Sequence, residues 1–121
     1  MNLYIYKMDA FEFLKKYCPV GNGDLILLYA FKNNWMTTAP EVAKRIKIRP
    51  DHARRILNTM KATGFCTRIK VDNKRAMVYR FNGKGKSSVK RIFNKKIMPY
   101  VNLTPEEFLR VEEIDIVLTF K

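Results

Sequence analysis

The chain has 121 residues, 47% of them hydrophobic, and carries 24 Lys and Arg against 11 Asp and Glu, for a net charge of +13. That size and apolar content fit one folded domain with a real core and exclude a long disordered chain. The longest apolar run, Leu25 to Phe31, is too short to cross a bilayer, and two cysteines with one histidine are too few for a structural zinc site.

The charge is local. Between Lys44 and Lys96 there are 18 basic residues and two acidic ones, Asp51 and Asp72, whereas residues 1–43 hold four of each sign and residues 97–121 hold two basic and five acidic. A basic field confined to the middle of a chain points to a polyanionic partner. The start, Met1-Asn2-Leu3-Tyr4, has no basic region followed by an apolar stretch, so a cytoplasmic protein without membrane association is expected. Cys18 and Cys66 are expected as small hydrophobic core residues.

In chain order, residues 3–6 are rich in β-formers and predict a short strand. Asp9 can cap a helix running to Tyr17, with Ala10, Phe13, Leu14 and Tyr17 on one apolar face. Pro19 and Gly21-Asn22-Gly23 end it, and Asp24 opens a helix to about Trp35, apolar nearly all round and therefore central to the core. Thr38, with Glu41 three residues on, is a helix start of capping-box type, and the short helix to Ile46 buries Val42, Ala43 and Ile46. Lys47-Ile48-Arg49 is a turn with Ile48 inward. Pro50 suits the first turn of a second helix, where its missing N–H costs little; that helix carries Ala53, Ile56, Leu57 and Met60 on one face and stops at Gly64.

Residues 65–71 alternate, with Phe65, Thr67, Ile69 and Val71 on one side and Cys66, Arg68 and Lys70 on the other. Asp72-Asn73-Lys74 reads as a turn and 76–81 as a second strand, together a hairpin. Residues 82–88 read as a polar, Gly- and Lys-containing linker. A basic amphipathic helix follows, with Val89, Ile92, Phe93 and Ile97 as its stripe and Pro99 as its stop. Thr104 to Glu107 is a second capping box opening a short acidic helix, and 114–120 a last strand. The fold class is α+β and mainly helical, read as a single domain over 1–121 with a core at about 24–81 and a C-terminal extension at about 82–121.

The stretch from Thr38 to Phe81 resembles the winged helix-turn-helix of MarR-type and Lrp-type regulators. The likeness is carried by Ala43 and Ile46 in the first helix, Ile48 in the turn, Ala53, Ile56, Leu57 and Met60 in the second, and Gly64-Phe65 after it. The resemblance implies a recognition helix at about 50–63 in the major groove and a wing at 66–81 on the backbone or minor groove. The start of that helix, Arg49-Pro50-Asp51-His52, departs from the small hydroxyl residues frequent in the family.

With the apolar stripe buried, Arg49, Asp51, His52, Arg54, Arg55 and Asn58 are the candidate base contacts, since Arg pairs bidentately with guanine and Asn with adenine. Thr38, Lys47, Lys61, Arg68, Lys70, Asn73, Lys74 and Arg75 are the candidate backbone and wing contacts. Lys84, Lys86, Lys90, Arg91, Lys95 and Lys96 extend the basic field. The function expected is sequence-specific binding of double-stranded DNA by a transcriptional regulator, with no cofactor, no metal and no catalytic residue. The basic region lacks the clustered carboxylates that a metal nuclease needs. The second reading is a winged-helix module that binds RNA or serves in a replication or other multiprotein complex. The apolar segments at the two ends are expected to form a homodimer interface.

Overall fold

The computed structural model describes residues 2–71 and 77–120. Its order is β1 (Asn2–Asp9), α1 (Ala10–Tyr17), α2 (Asn22–Lys32), β2 (Met36–Thr38), α3 (Ala39–Ile46), α4 (Pro50–Ala62), β3 (Cys66–Ile69), β4 (Val78–Phe81), α5 (Gly83–Ile92), a π-helical turn (Phe93–Ile97), α6 (Pro105–Arg110) and β5 (Glu113–Phe120). The architecture is mainly helical, with a small antiparallel sheet ordered β2-β4-β3 and a separate two-stranded ribbon of β1 and β5.

Local chemistry explains most of the boundaries. Asp9 caps α1 by accepting from the Phe11 and Glu12 amides at 3.1 and 3.2 Å. The buried face of α1 is Ala10, Phe11 and Leu14. Phe13 is only partly buried and Tyr17 is exposed, because Phe11 takes the inward place against Phe108 while Phe13 and Tyr17 stack on each other 5.0 Å apart. Helix α2 starts two residues before Asp24, whose carboxylate accepts from the Gly21 amide at 3.0 Å. It ends at Lys32 rather than Trp35, because Asn34 and Trp35 adopt left-handed φ angles of 60° and 63°. That reversal feeds β2, a strand that local sequence patterning does not announce.

Thr38 Oγ1 accepts from the Glu41 amide and starts α3. Lys47, left-handed at φ 61°, closes the tight turn to α4. Gly64, at φ 87°, ends the segment after α4 as a C-terminal glycine should. The hairpin strands are shorter than the alternation suggests, and Cys66 is the buried residue of β3. The predicted turn at Asp72-Asn73-Lys74 lies outside the described residues.

The predicted linker at 82–88 is instead mostly the first turns of α5. Asn82 caps that helix through its side-chain oxygen to the Lys84 and Gly85 amides. Glycine lowers helix propensity, yet a side chain cannot fit at Gly85, where a Cβ would stand 3.0 Å from both the Phe65 carbonyl oxygen and Phe81 Cδ1. The stripe Val89, Ile92, Phe93 and Ile97 is buried as expected. Phe93 meets Phe31 and Phe108 edge-on, so α2, the π-turn and α6 join one buried cluster.

The strands at the two ends pair with each other over their full length, from Asn2 opposite Phe120 to Asp9 opposite Glu113. The base of this ribbon is anchored by charge. Arg45 of α3 lies 2.6 Å from Asp9 and 3.2 Å from Glu112, over the Phe11 ring. Lys32 of α2 donates to the carbonyls of Phe108 and Val111, and burial lowers its pKa.

Candidate nucleic-acid interface

Helix α4 is the element on which the predicted base contacts meet. It turns Ala53 and Leu57 fully inward and Ile56 and Met60 partly inward. The opposite side leaves Asp51, Arg54, Arg55 and Lys61 exposed, with Arg49 at the cap position. Arg49 Nε stands 3.3 Å from the Asp51 carboxylate. Partial desolvation acts upward on that carboxylate, but Arg49, the first-turn amides and Arg55 outweigh it and hold its pKa below the usual value. Arg54 and Arg55 form no ion pair with a carboxylate among the described residues, although the charge of Arg55 reaches Asp51 one turn earlier.

Two members of the predicted set are already engaged. His52 is half-buried, and its Nε2 lies 3.2 Å from the side-chain amide of Asn22 at the start of α2. Asn58 is half-buried and accepts from the Tyr79 hydroxyl at 2.7 Å. Asn22 and Tyr79 are partners that the sequence reading missed, because both contacts join residues 21 or more positions apart.

The predicted backbone set divides as well. Arg68 and Lys70 are exposed on and just after β3, with Arg80 exposed on β4. Lys61 is exposed near the end of α4. Lys47 is exposed in the turn, where hydrogen bonding and charge from Glu12 of α1 raise its pKa. Thr38 does not belong with them: it is 4% exposed and its hydroxyl is spent capping α3, so it offers no surface contact. Asn73, Lys74 and Arg75 lie outside the described residues.

Beyond α4 the hairpin is fixed to the helical core. Phe81 N donates to the Trp35 carbonyl at 2.8 Å, and the Asn82 amide side chain donates to the Gly64 carbonyl at 2.8 Å. Helix α4 and the hairpin are therefore held in one frame. Cys18 and Cys66 are both buried and unpaired, and burial pushes the Cys66 thiol up to about 11. Among the described residues no group of three His, Cys, Asp or Glu is arranged to hold a metal ion, and no helix is long and apolar enough to cross a membrane.

Three helices with a tight turn between the second and third, then a hairpin that pairs with a strand between the first two, define a winged helix-turn-helix. Solved structures of that class share the fold. ZitR of Lactococcus lactis, as a cysteine-to-serine variant, is 16% identical with a TM-score of 0.52, covering 60% of this chain and 49% of its own. YusO of Bacillus subtilis is 15% identical with a TM-score of 0.54, covering 69% and 60%. A cysteine-to-serine variant of MarR from E. coli, solved in complex with operator DNA, is 15% identical with a TM-score of 0.52, covering 69% and 59%. The chain thus spans about half to three-fifths of these proteins' length. No protein-family profile and no curated protein matches it.

Proposed function

We propose that this protein is a non-enzymatic transcriptional regulator of the cytoplasm that binds double-stranded DNA sequence-specifically. In this reading α4 lies in the major groove, and the hairpin at 66–81 lies on the backbone or minor groove. The observation that carries it is the outward face of α4. Arg54 and Arg55 stand there exposed and in no ion pair with a carboxylate among the described residues, inside a segment of 18 basic and two acidic residues. A helix of this size fits the major groove, and unpaired arginine forks match guanine edges or phosphates. Arg49, Asp51, His52 and Asn58 complete the base-reading set, and Lys47, Lys61, Arg68 and Lys70 the phosphate set. Asn73, Lys74 and Arg75 belong to the same proposed phosphate set.

The same reading takes the active unit to be a homodimer, with two copies of α4 about one DNA turn, roughly 34 Å, apart. Its supporting observation is the β1–β5 ribbon, which exposes Leu3, Tyr4, Ile5 and Val117 at more than half of their full area. Exposed apolar side chains on an isolated two-stranded ribbon are a surface that a second copy can cover.

The test is a titration of duplex DNA, single-stranded DNA and RNA of the same sequence, repeated from 50 to 200 mM salt, with sedimentation of the free and bound protein. Preference for one duplex sequence, with affinity falling by about three orders of magnitude across that salt range, is the expected result. Equal or tighter binding to RNA would replace this reading with the RNA-binding one, and a sediment of monomers free and bound would remove the dimer.

A further inference from the structure

The six basic residues of α5 and the π-turn are not one face. Five of them divide between two sides of the helix, and each side looks at a different part of the molecule. Arg91, Lys95 and Lys96 line a cleft of about 260 Å³ whose opposite wall includes Asp24 and Leu27 of α2, with Phe65 from the end of the α4 segment. Lys86 and Lys90 line a different cavity of about 390 Å³ with Phe31, Trp35 and Glu106, on the side of α6. Lys84 belongs to neither: it donates to the Thr63 carbonyl at 2.7 Å and lies over the Phe65 ring.

The first side is connected to the reading helix by a short relay of contacts. His52, in the first turn of α4, touches Asn22; two residues along, Asp24 pairs with Lys96 at 2.8 Å. The start of α2 therefore bridges α4 and the π-turn. Lys96 is committed to Asp24, but Arg91 and Lys95 are exposed and pair with no carboxylate among the described residues. Three cations line this cleft against the one carboxylate of Asp24, and such an excess of positive charge attracts a polyanion.

We propose that Arg91 and Lys95 contact phosphates of the same duplex that α4 reads, on the flank that faces the start of α2. Lys86 and Lys90 take no part in that contact. The inference rests on the DNA-binding reading above and extends it. The protein grips backbone beyond the base pairs under α4 and beyond the wing, so part of its affinity comes from DNA whose sequence it does not read.

The experiment compares hydroxyl-radical footprints and salt titrations of the wild-type protein, Arg91→Ala/Lys95→Ala and Lys86→Ala/Lys90→Ala on one long duplex carrying the preferred sequence, with a melting curve for each protein. The expected result for Arg91→Ala/Lys95→Ala is loss of protection on one flank, with the centre kept. Its binding should weaken about tenfold and its salt slope become shallower by about two units. Lys86→Ala/Lys90→Ala should keep the whole footprint and the wild-type slope. Equal effects of the two pairs, or an unchanged flank in the first, overturn the inference while leaving DNA binding intact. A wild-type protein that protects no duplex overturns both.

Discussion

The Tyr79 hydroxyl of β4 donates to the Asn58 side chain of α4 at 2.7 Å, joining the hairpin to the helix through one hydrogen bond. Tyr79 is 2% exposed, so its ring is core and only its oxygen reaches the helix. The bond fixes which way the Asn58 amide faces. An asparagine can make a bidentate pair with adenine only if that orientation is right.

Tyr79→Phe keeps the ring and removes the bond. Stability should fall by about 0.5–1.5 kcal/mol, the net worth of one such bond. If Asn58 reads a base, the variant should also lose discrimination at one position of the site while its salt slope stays unchanged. Chemical denaturation and titration against single-base variants of the duplex read the two effects separately.

Arg55→Ala and Arg68→Ala separate reading from clamping. On the preferred duplex Arg55→Ala should cost about 1–3 kcal/mol and relax preference at one position. Arg68→Ala should weaken all duplexes alike and lower the salt slope by about one unit. Identical behaviour of the two variants on every duplex would mean that α4 does not read bases.

Gly85→Ala sets two effects against each other. In an open helix the change gains about 1 kcal/mol from propensity. Here the new methyl would press on the Phe65 carbonyl and the Phe81 ring, both at 3.0 Å. Overpacking of that kind costs about 1–3 kcal/mol, and a backbone oxygen cannot swing away as a flexible side chain can. The net effect should be destabilising, with a lower melting temperature. Gly83→Ala, where nothing lies within 4 Å, should be neutral or stabilising.

The Cys66 thiol, held up to about 11 by burial, gives a pH-dependent signature. The fold favours the protonated form, so the contribution is complete below the ordinary thiol pKa near 9 and is lost as pH rises towards 11. Stability should decline across that alkaline window more steeply than in Cys66→Ser. At pH 8 the native thiol should resist alkylation and react only on unfolding, which a timed iodoacetamide reaction followed by mass spectrometry would show.

The frame from α3 to Gly64 is legible in the sequence because each of its signals is local. Thr38 caps, Pro50 fits a first turn, the stripe Ala53, Ile56, Leu57 and Met60 repeats at helical spacing, and Gly64 supplies a left-handed stop. What local patterning does not reveal depends on partners far along the chain. Strand β2 is three residues long, too short for alternation, and exists because β4 lies beside it. The first turns of α5 are hidden by Gly83 and Gly85, whose low propensity is overridden by packing against Phe65 and Phe81. Thr38 reads equally well as a cap or as a phosphate contact, and only its burial decides. The engagement of His52 and Asn58 follows from Asn22 and Tyr79, which no spacing rule brings to them.

The β1–β5 ribbon has a kinetic consequence. Its pairs join residues from 104 to 118 positions apart, from Asp9 with Glu113 to Asn2 with Phe120. Closing so long a loop is entropically costly until the intervening core has already brought the ends together. The ribbon is therefore the last part of the chain to zip and the first to open, and the Arg45 pairs with Asp9 and Glu112 act as the hinge pin at its root. In hydrogen exchange, the amides near Leu3 and Leu118 would trade deuterium well ahead of those around Leu28, with protection rising step by step towards Asp9.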